Sequence, residues 1–213
     1  MEFQIFENKI VKIKKMELPG ESAQFKMAPM ERLAELKRIA VEKKSARKAG
    51  VLALFYPSEA NQTMLALILR KTYKGVHSAQ IGFPGGKYEN EDHSLKETAL
   101  RETEEEIGVI RNTVSVLKQL TEVYIPPSNF FVQPYVGITK NTPEFILQED
   151  EVEALVEVPL IHFMDDSIKT YQNLSTSYAK NIEVPAFMLN NHLVWGATAM
   201  MLSEVREMLK ELL

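Results

Sequence analysis

The chain has 213 residues, 45% of them hydrophobic, which is enough for one well-buried core and short for two. Its formal net charge of −4 gives no general electrostatic drive toward nucleic acid or anionic lipid, so an anionic ligand must be held by local cations or by metal. With no cysteine in the chain, disulfides, thiolate metal sites, zinc fingers and cysteine nucleophiles are all excluded.

The N-terminus, Met1-Glu-Phe-Gln-Ile-Phe-Glu7, lacks the charged and apolar regions of a signal peptide. No run reaches the roughly 18 to 20 apolar residues needed to cross a bilayer. We therefore expect a cytoplasmic protein with neither a nucleic-acid nor a membrane partner. The first 50 residues are rich in Lys, Glu and Met. Between Pro29 and Gly50, residues Met30, Leu33, Ala34, Lys37, Ala40 and Val41 form a partly apolar helical stripe. This predicts one helix packed on the domain.

Two apolar runs follow, Val51-Leu-Ala-Leu-Phe-Tyr56 and Met64-Leu-Ala-Leu-Ile-Leu69, around the turn-rich Pro57–Gln62. They predict a strand, turn, strand unit. Neither run alternates cleanly, so both should be largely buried. A polar stretch to Gln80 leads into the turn Gly82-Phe-Pro-Gly-Gly86 and a helix from about 94 to 107, with Ser94-Leu-Lys-Glu97 as a capping box. Further strands are expected at 113–120, 131–139 and 153–158. Ala197, Met201, Val205, Met208 and Leu212 have helical spacing, which predicts a C-terminal helix.

The chemistry concentrates on the helix after the glycine turn. Glu102, Glu105 and Glu106 are spaced i, i+3, i+4, so their carboxylates leave one helix face and can converge. Like charges held so close need a cation between them. Oxygen-only ligands suit magnesium, manganese or calcium better than zinc. A bare acidic run usually reads as a solvated helix face; the glycine turn before it, with Arg101 and Gly108 in register, argues for a site.

The segment Gly86 to Val109 resembles the Nudix box, whose closing half, Arg-Glu-apolar-any-Glu-Glu-any-Gly-apolar, is met from Arg101 to Val109 with Thr103 at the first apolar place. The box's first acidic position is Asp92, and eight residues separate it from Arg101 where the general pattern has seven. Upstream, Arg70 is followed ten residues later by Gln80 and then by Phe83-Pro-Gly-Gly86. That spacing, like the longer gap after Asp92, is similar to the coenzyme A pyrophosphatase branch of the family. Weaker likenesses carry the resemblance over roughly residues 47 to 205. Ile68 and Gly75 stand where the branch has Thr and a second Arg.

The resemblance implies an α/β Nudix fold: a mixed β-sheet sandwiched between helices, with residues 1–46 as an N-terminal helical extension and 47–213 as the hydrolase domain. It implies a pyrophosphohydrolase using Mg2+ or Mn2+. Glu105 and Glu106, with the Gly86 carbonyl, would hold the principal metal, and Glu102 would bind a second metal or act on the water. Arg101 would orient the glutamates. Glu151, in the acidic run Glu149-Asp-Glu151-Val-Glu153, is the favoured general base, although a solvated acidic loop reads equally well.

The implied partner is a small-molecule nucleotide, coenzyme A or a derivative, and a homodimer is compatible with the resemblance. Arg70, Lys71, Lys74, His77, Gln80 and Lys87 are the candidate substrate contacts. Surface solubility accounts as well for Lys71 and Lys74, and a structural hydrogen bond in the turn accounts for His77. Other readings are a Nudix hydrolase of ADP-ribose, NADH or a dinucleotide, a non-catalytic nucleotide-binding Nudix module, and an interaction protein built on residues 29 to 48.

Overall fold

The computed structural model describes residues 1–29, 46–71, 80–174 and 182–213. The helix expected between Pro29 and Gly50 falls on 30–45, outside the described residues. The organising element is strand β1 (Arg47–Pro57), which runs parallel to β7 (Phe130–Thr139) and antiparallel to its other neighbours. From Ala49 to Phe55 every residue of β1 is buried, and alternate side chains enter different cores. Burial on both faces explains why the sequence of this strand does not alternate.

β1 changes partner along its length. Leu54–Pro57 pair with β2 (Thr63–Arg70), whereas Ala49–Val51 pair with the short β4 (Gly85–Lys87). The two-residue β3 (Ile81–Gly82) lies on β2, so the β3–β4 turn is wedged where β1 and β2 part. β8 (Val152–Pro159) covers the other edge of β2, while β5 (Val114–Gln119) and β6 (Val123–Ile125) pair with β7. The result, among the described residues, is an eight-stranded mixed sheet.

Helices cover both faces. On one side α3 (Leu95–Ile107) packs over Leu52, Leu54 and Tyr56. On the other lie α5 (Gly196–Leu212) and the N-terminal α1 (Phe3–Ile10), with the single-turn α2 (Glu21–Gln24) against α5 and α4 (Leu160–Met164) after β8. Phe3, Phe6, Ile10 and Ile13 are buried, and the Phe6 ring lies 5.1 Å from that of Phe55. The first 13 residues thus contribute to the main core. This layered arrangement is the expected mixed sheet between helices.

The five strands from β1 to β8 that were predicted are present, as are the two predicted helices outside 30–45. A second sheet of β9 (Lys169–Leu174), β10 (Ile182–Leu189) and β11 (His192–Trp195) was not anticipated. Pro185 sits inside β10, a position that argues against a central strand. It pairs only with Tyr171 of β9, because β11 reaches no further than Ala186. The β10–β11 turn uses Asn190 and Asn191, both at positive φ, as a tight hairpin between right-twisted strands requires. No helix among the described residues is long and apolar enough to cross a membrane.

Candidate active site

The site forms where β4 and α3 meet. Gly50 and Gly86 are cross-strand partners facing α3. A Cβ on Gly50 would strike the Leu95 carbonyl, and one on Gly86 would strike the Glu102 carboxylate. Two glycines therefore let the helix lie directly on backbone and bring Glu102 against the turn. Ser94 caps α3 by accepting from the Glu97 N–H at 3.3 Å, and the Glu97 carboxylate reaches back to the His93 N–H, one residue before the cap. Thr103, at an apolar place in the box, is buried with its hydroxyl bonded to Ala99 O at 2.6 Å.

Arg101 is held from below and holds from above. Its guanidinium donates to Asp92 through Nε at 2.9 Å and Nη2 at 3.0 Å. Asp92 is buried and also accepts from the Thr98 hydroxyl and the Glu89 N–H. These bonds, Arg101 first, hold the Asp92 carboxyl well below the usual carboxylate range. The Nη1 of Arg101 then reaches Glu102 at 3.1 Å and Glu105 at 2.8 Å. Asp92, the first acidic position of the box, thus anchors the arginine that arranges the glutamates.

Ligand oxygens of Glu102, Glu106 and Glu151 lie within 4.8 Å of one another. Opposite oxygens around an octahedral magnesium are about 4.2 Å apart, so this group needs only a small contraction to share one ion. Glu106 is 1% exposed. One of its oxygens accepts the Gly85 N–H at 2.7 Å. The other has no hydrogen-bond partner, although Arg70 Nη1 stands 3.1 Å away without the alignment of a hydrogen bond. Burial pushes Glu106 up to about 7 against the opposing pull of Arg70 and Gly85. Burial likewise raises Glu102 against Arg101. An all-oxygen donor set in which the buried Glu106 lacks a hydrogen bond on one oxygen fits a hard divalent cation.

Glu151 reaches this group from a distant loop. The segment before it docks on the end of α3 through Ile146 N–H to Ile107 O at 3.1 Å and Gln148 N–H to Glu106 O at 3.0 Å. Gly108, at φ +76°, ends the helix, and a Cβ there would lie 2.8 Å from the Ile146 nitrogen. The Glu151 carbonyl accepts from Lys71 N–H at 2.9 Å. The β2–β8 register then slips, Leu69 pairing with Ala154 but Arg70 with Val152, so that Glu153 bulges and meets Lys71 Nζ at 3.1 Å. No local sequence signal marks the docking of Ile146 and Gln148.

The predicted residues are thus partly assembled. Glu102, Glu106, Glu151, Gly86, Arg101 and Arg70 converge. Glu105 belongs to the same helix turn but points to Arg101, with its side chain 53% exposed. Lys87 is exposed on β4 beside Gly86, Gln80 is half-buried just before β3, and Lys71 is paired with Glu153. Lys74 and His77 lie outside the described residues.

A family model described as the NUDIX domain matches residues 44–174. The chain belongs to the Nudix family. It is a Nudix hydrolase, a pyrophosphohydrolase, and its family generally uses a divalent metal ion. An uncharacterized Nudix hydrolase NudL of Yersinia enterocolitica is 36% identical over 135 residues, covering 63% of this chain and 68% of that protein. The Yersinia pestis relative of the same description is 35% identical over 136 residues, with 63% and 67% covered. The crystal structure of the Nudix hydrolase RenU from M. Smegmatis shares the fold, with a TM-score of 0.53 at 13% identity over 79% of this chain and 88% of that one.

Proposed function

We propose that this Nudix hydrolase cleaves the diphosphate of coenzyme A or an acyl derivative, giving adenosine 3′,5′-bisphosphate and the (acyl) 4′-phosphopantetheine. The observation that supports this reading is Arg70. It opens the upstream motif that resembles the coenzyme A branch, and its guanidinium lies 3.1 Å from Glu106 and 3.5 Å from the Gly85 carbonyl. A fork-shaped cation beside the metal cluster suits a diphosphate.

A bound Mg2+ or Mn2+ supplies charge neutralisation on the diphosphate and a water of lowered pKa. Glu102, Glu106 and the Gly86 carbonyl would hold it, and Glu105 would join after turning from Arg101. Arg101, fixed by Asp92, keeps Glu102 in place. Glu151, exposed at the mouth of the cluster, takes the proton from the attacking water. The water oxygen bonds to one phosphorus, and the bridging P–O bond breaks with its electron pair leaving on the other phosphate. Arg70 and Lys87 offset the charge that develops on the phosphate oxygens. A cytoplasmic location suits this substrate.

Product analysis by mass spectrometry tests the reading, with coenzyme A, ADP-ribose and NADH each incubated with Mg2+ or Mn2+ beside a Glu106→Gln control. Bisphosphorylated adenosine and phosphopantetheine should form fastest from coenzyme A and disappear in the control. Faster cleavage of ADP-ribose or NADH would move the substrate to another nucleoside diphosphate derivative. Gly75, where the branch has a second Arg, is the sequence feature on the side of that outcome.

A further inference from the structure

Arg70 contacts the cluster at the oxygen that lacks a hydrogen bond. Glu106 Oε2 is committed to the Gly85 N–H, whereas Oε1 has Arg70 Nη1 at 3.1 Å and nothing bonded to it. Among the described residues Arg70 is the cation in contact with this carboxylate. A divalent ion held by Glu102 and Glu106 would call on the same carboxylate, whose other oxygen is already committed to the Gly85 N–H. Two cations cannot both approach that carboxylate closely without mutual repulsion, as it is itself almost wholly buried.

The arginine is also built to leave. Its backbone is fixed, with the N–H bonded to Gln80 O at 3.1 Å and the residue paired to Val152 at the bulge. Its side chain, by contrast, is 26% exposed. Its longest polar contact, 3.5 Å to Gly85 O, is weak. A rotation about the side-chain bonds moves the guanidinium off Glu106 without moving the strand.

We infer that Arg70 is a place-holding counter-ion for Glu106, competing with the divalent ion for that carboxylate and passing to the substrate diphosphate once the ion is bound. Metal and diphosphate then bind synergistically, because each removes Arg70 from the pairing that opposes the other. This rests on the metal-site reading proposed above and adds that a substrate-binding arginine weakens metal binding in the absence of substrate.

The test is direct titration of Mn2+ under nitrogen, followed by electron paramagnetic resonance of free ion, on wild type and Arg70→Gln. It is done at two alkaline pH values, so that a difference caused by proton competition at Glu106 would show itself as a pH dependence. Without any diphosphate, Arg70→Gln should bind Mn2+ about tenfold more tightly. In assays, its KM for substrate should rise while its half-saturating metal concentration falls. Methylenediphosphonate should tighten Mn2+ binding more in wild type than in Arg70→Gln. An Arg70→Lys protein, which keeps a charge on a flexible stem, should stay close to wild type in Mn2+ affinity, and Arg70→Met, also neutral, takes the place of Arg70→Gln should that protein fold poorly. Unchanged or weaker Mn2+ binding by Arg70→Gln, or equal synergy in all three proteins, overturns the inference. Absence of Mn2+ binding by wild type would instead overturn the metal-site reading itself.

Discussion

Glu106 and Glu204 are both glutamates sealed inside the protein, 1% and 0% exposed, and they are finished in opposite ways. Glu204 on α5 accepts from Gln24 Nε2 at 2.9 Å, from the Thr121 hydroxyl at 2.6 Å and from the Thr121 N–H. It joins α2, the loop after β5 and the last helix. Glu106 has one backbone bond and one bare oxygen. A buried carboxylate whose lone pairs are met by neutral donors acts as a strut; one left short of donors is waiting for a cation.

The largest expected effect divides the two on activity. Glu106→Gln should lower kcat/KM by about 1,000-fold or more while leaving the metal-free melting temperature unchanged or higher, because it removes a desolvated charge. Steady-state assays beside calorimetry check both halves, and a stable loss without inactivation would erase the contrast. Glu204→Leu should do the reverse. It strands Gln24 and Thr121 and should cost roughly 3 to 4 kcal/mol in urea unfolding, with kcat near wild type well below its melting point.

Titration sharpens the contrast. Glu106 is raised to about 7 in the fold against an ordinary value of 4.5. It is protonated in both states below 4.5 and ionised in both above 7. Without metal, stability should therefore fall as pH rises through that window, by on the order of 3 kcal/mol. Arg70 and the Gly85 N–H reduce the effect, and Glu102 and Glu151 add to it. Asp92, shifted the other way, acts only in stronger acid. Urea melts from pH 5 to 8 in chelator should show the slope in wild type and lose most of it in Glu106→Gln. The smallest effect is Ser94→Ala, which removes the α3 cap and should cost about 1 kcal/mol with little change in metal affinity.

Much of this was readable from local pattern. Arg101 to Val109 specified the helix face, and Ser94 specified where it starts. The central strands were legible because burial on both faces leaves an unbroken apolar run. What the sequence withheld depends on residues far apart in the chain. Nothing near Glu151 says that Ile146 and Gln148 will dock on Ile107 and Glu106. Nothing near Gln24 or Thr121 announces Glu204, more than 80 residues away from either. The second sheet was hidden for a local reason, Pro185 inside β10, although Asn190-Asn191 is a hairpin signal that can be read. Glu105 shows the limit of helical periodicity. It shares a face with Glu102 and Glu106, yet Arg101 takes its carboxylate.

The arrival of Glu151 from beyond β7 means that an ion held by Glu102 and Glu106, with Glu151 bonded to its water, would close the chain from 106 to 151 into a ring. Such a clasp acts on the unfolded ensemble as well as on the native contacts, since opening it must release the whole intervening length. Segment 140–150 then becomes a reporter of occupancy. It should resist proteases when the ion is present and be cut first when a chelator removes it, with no change elsewhere in the fold.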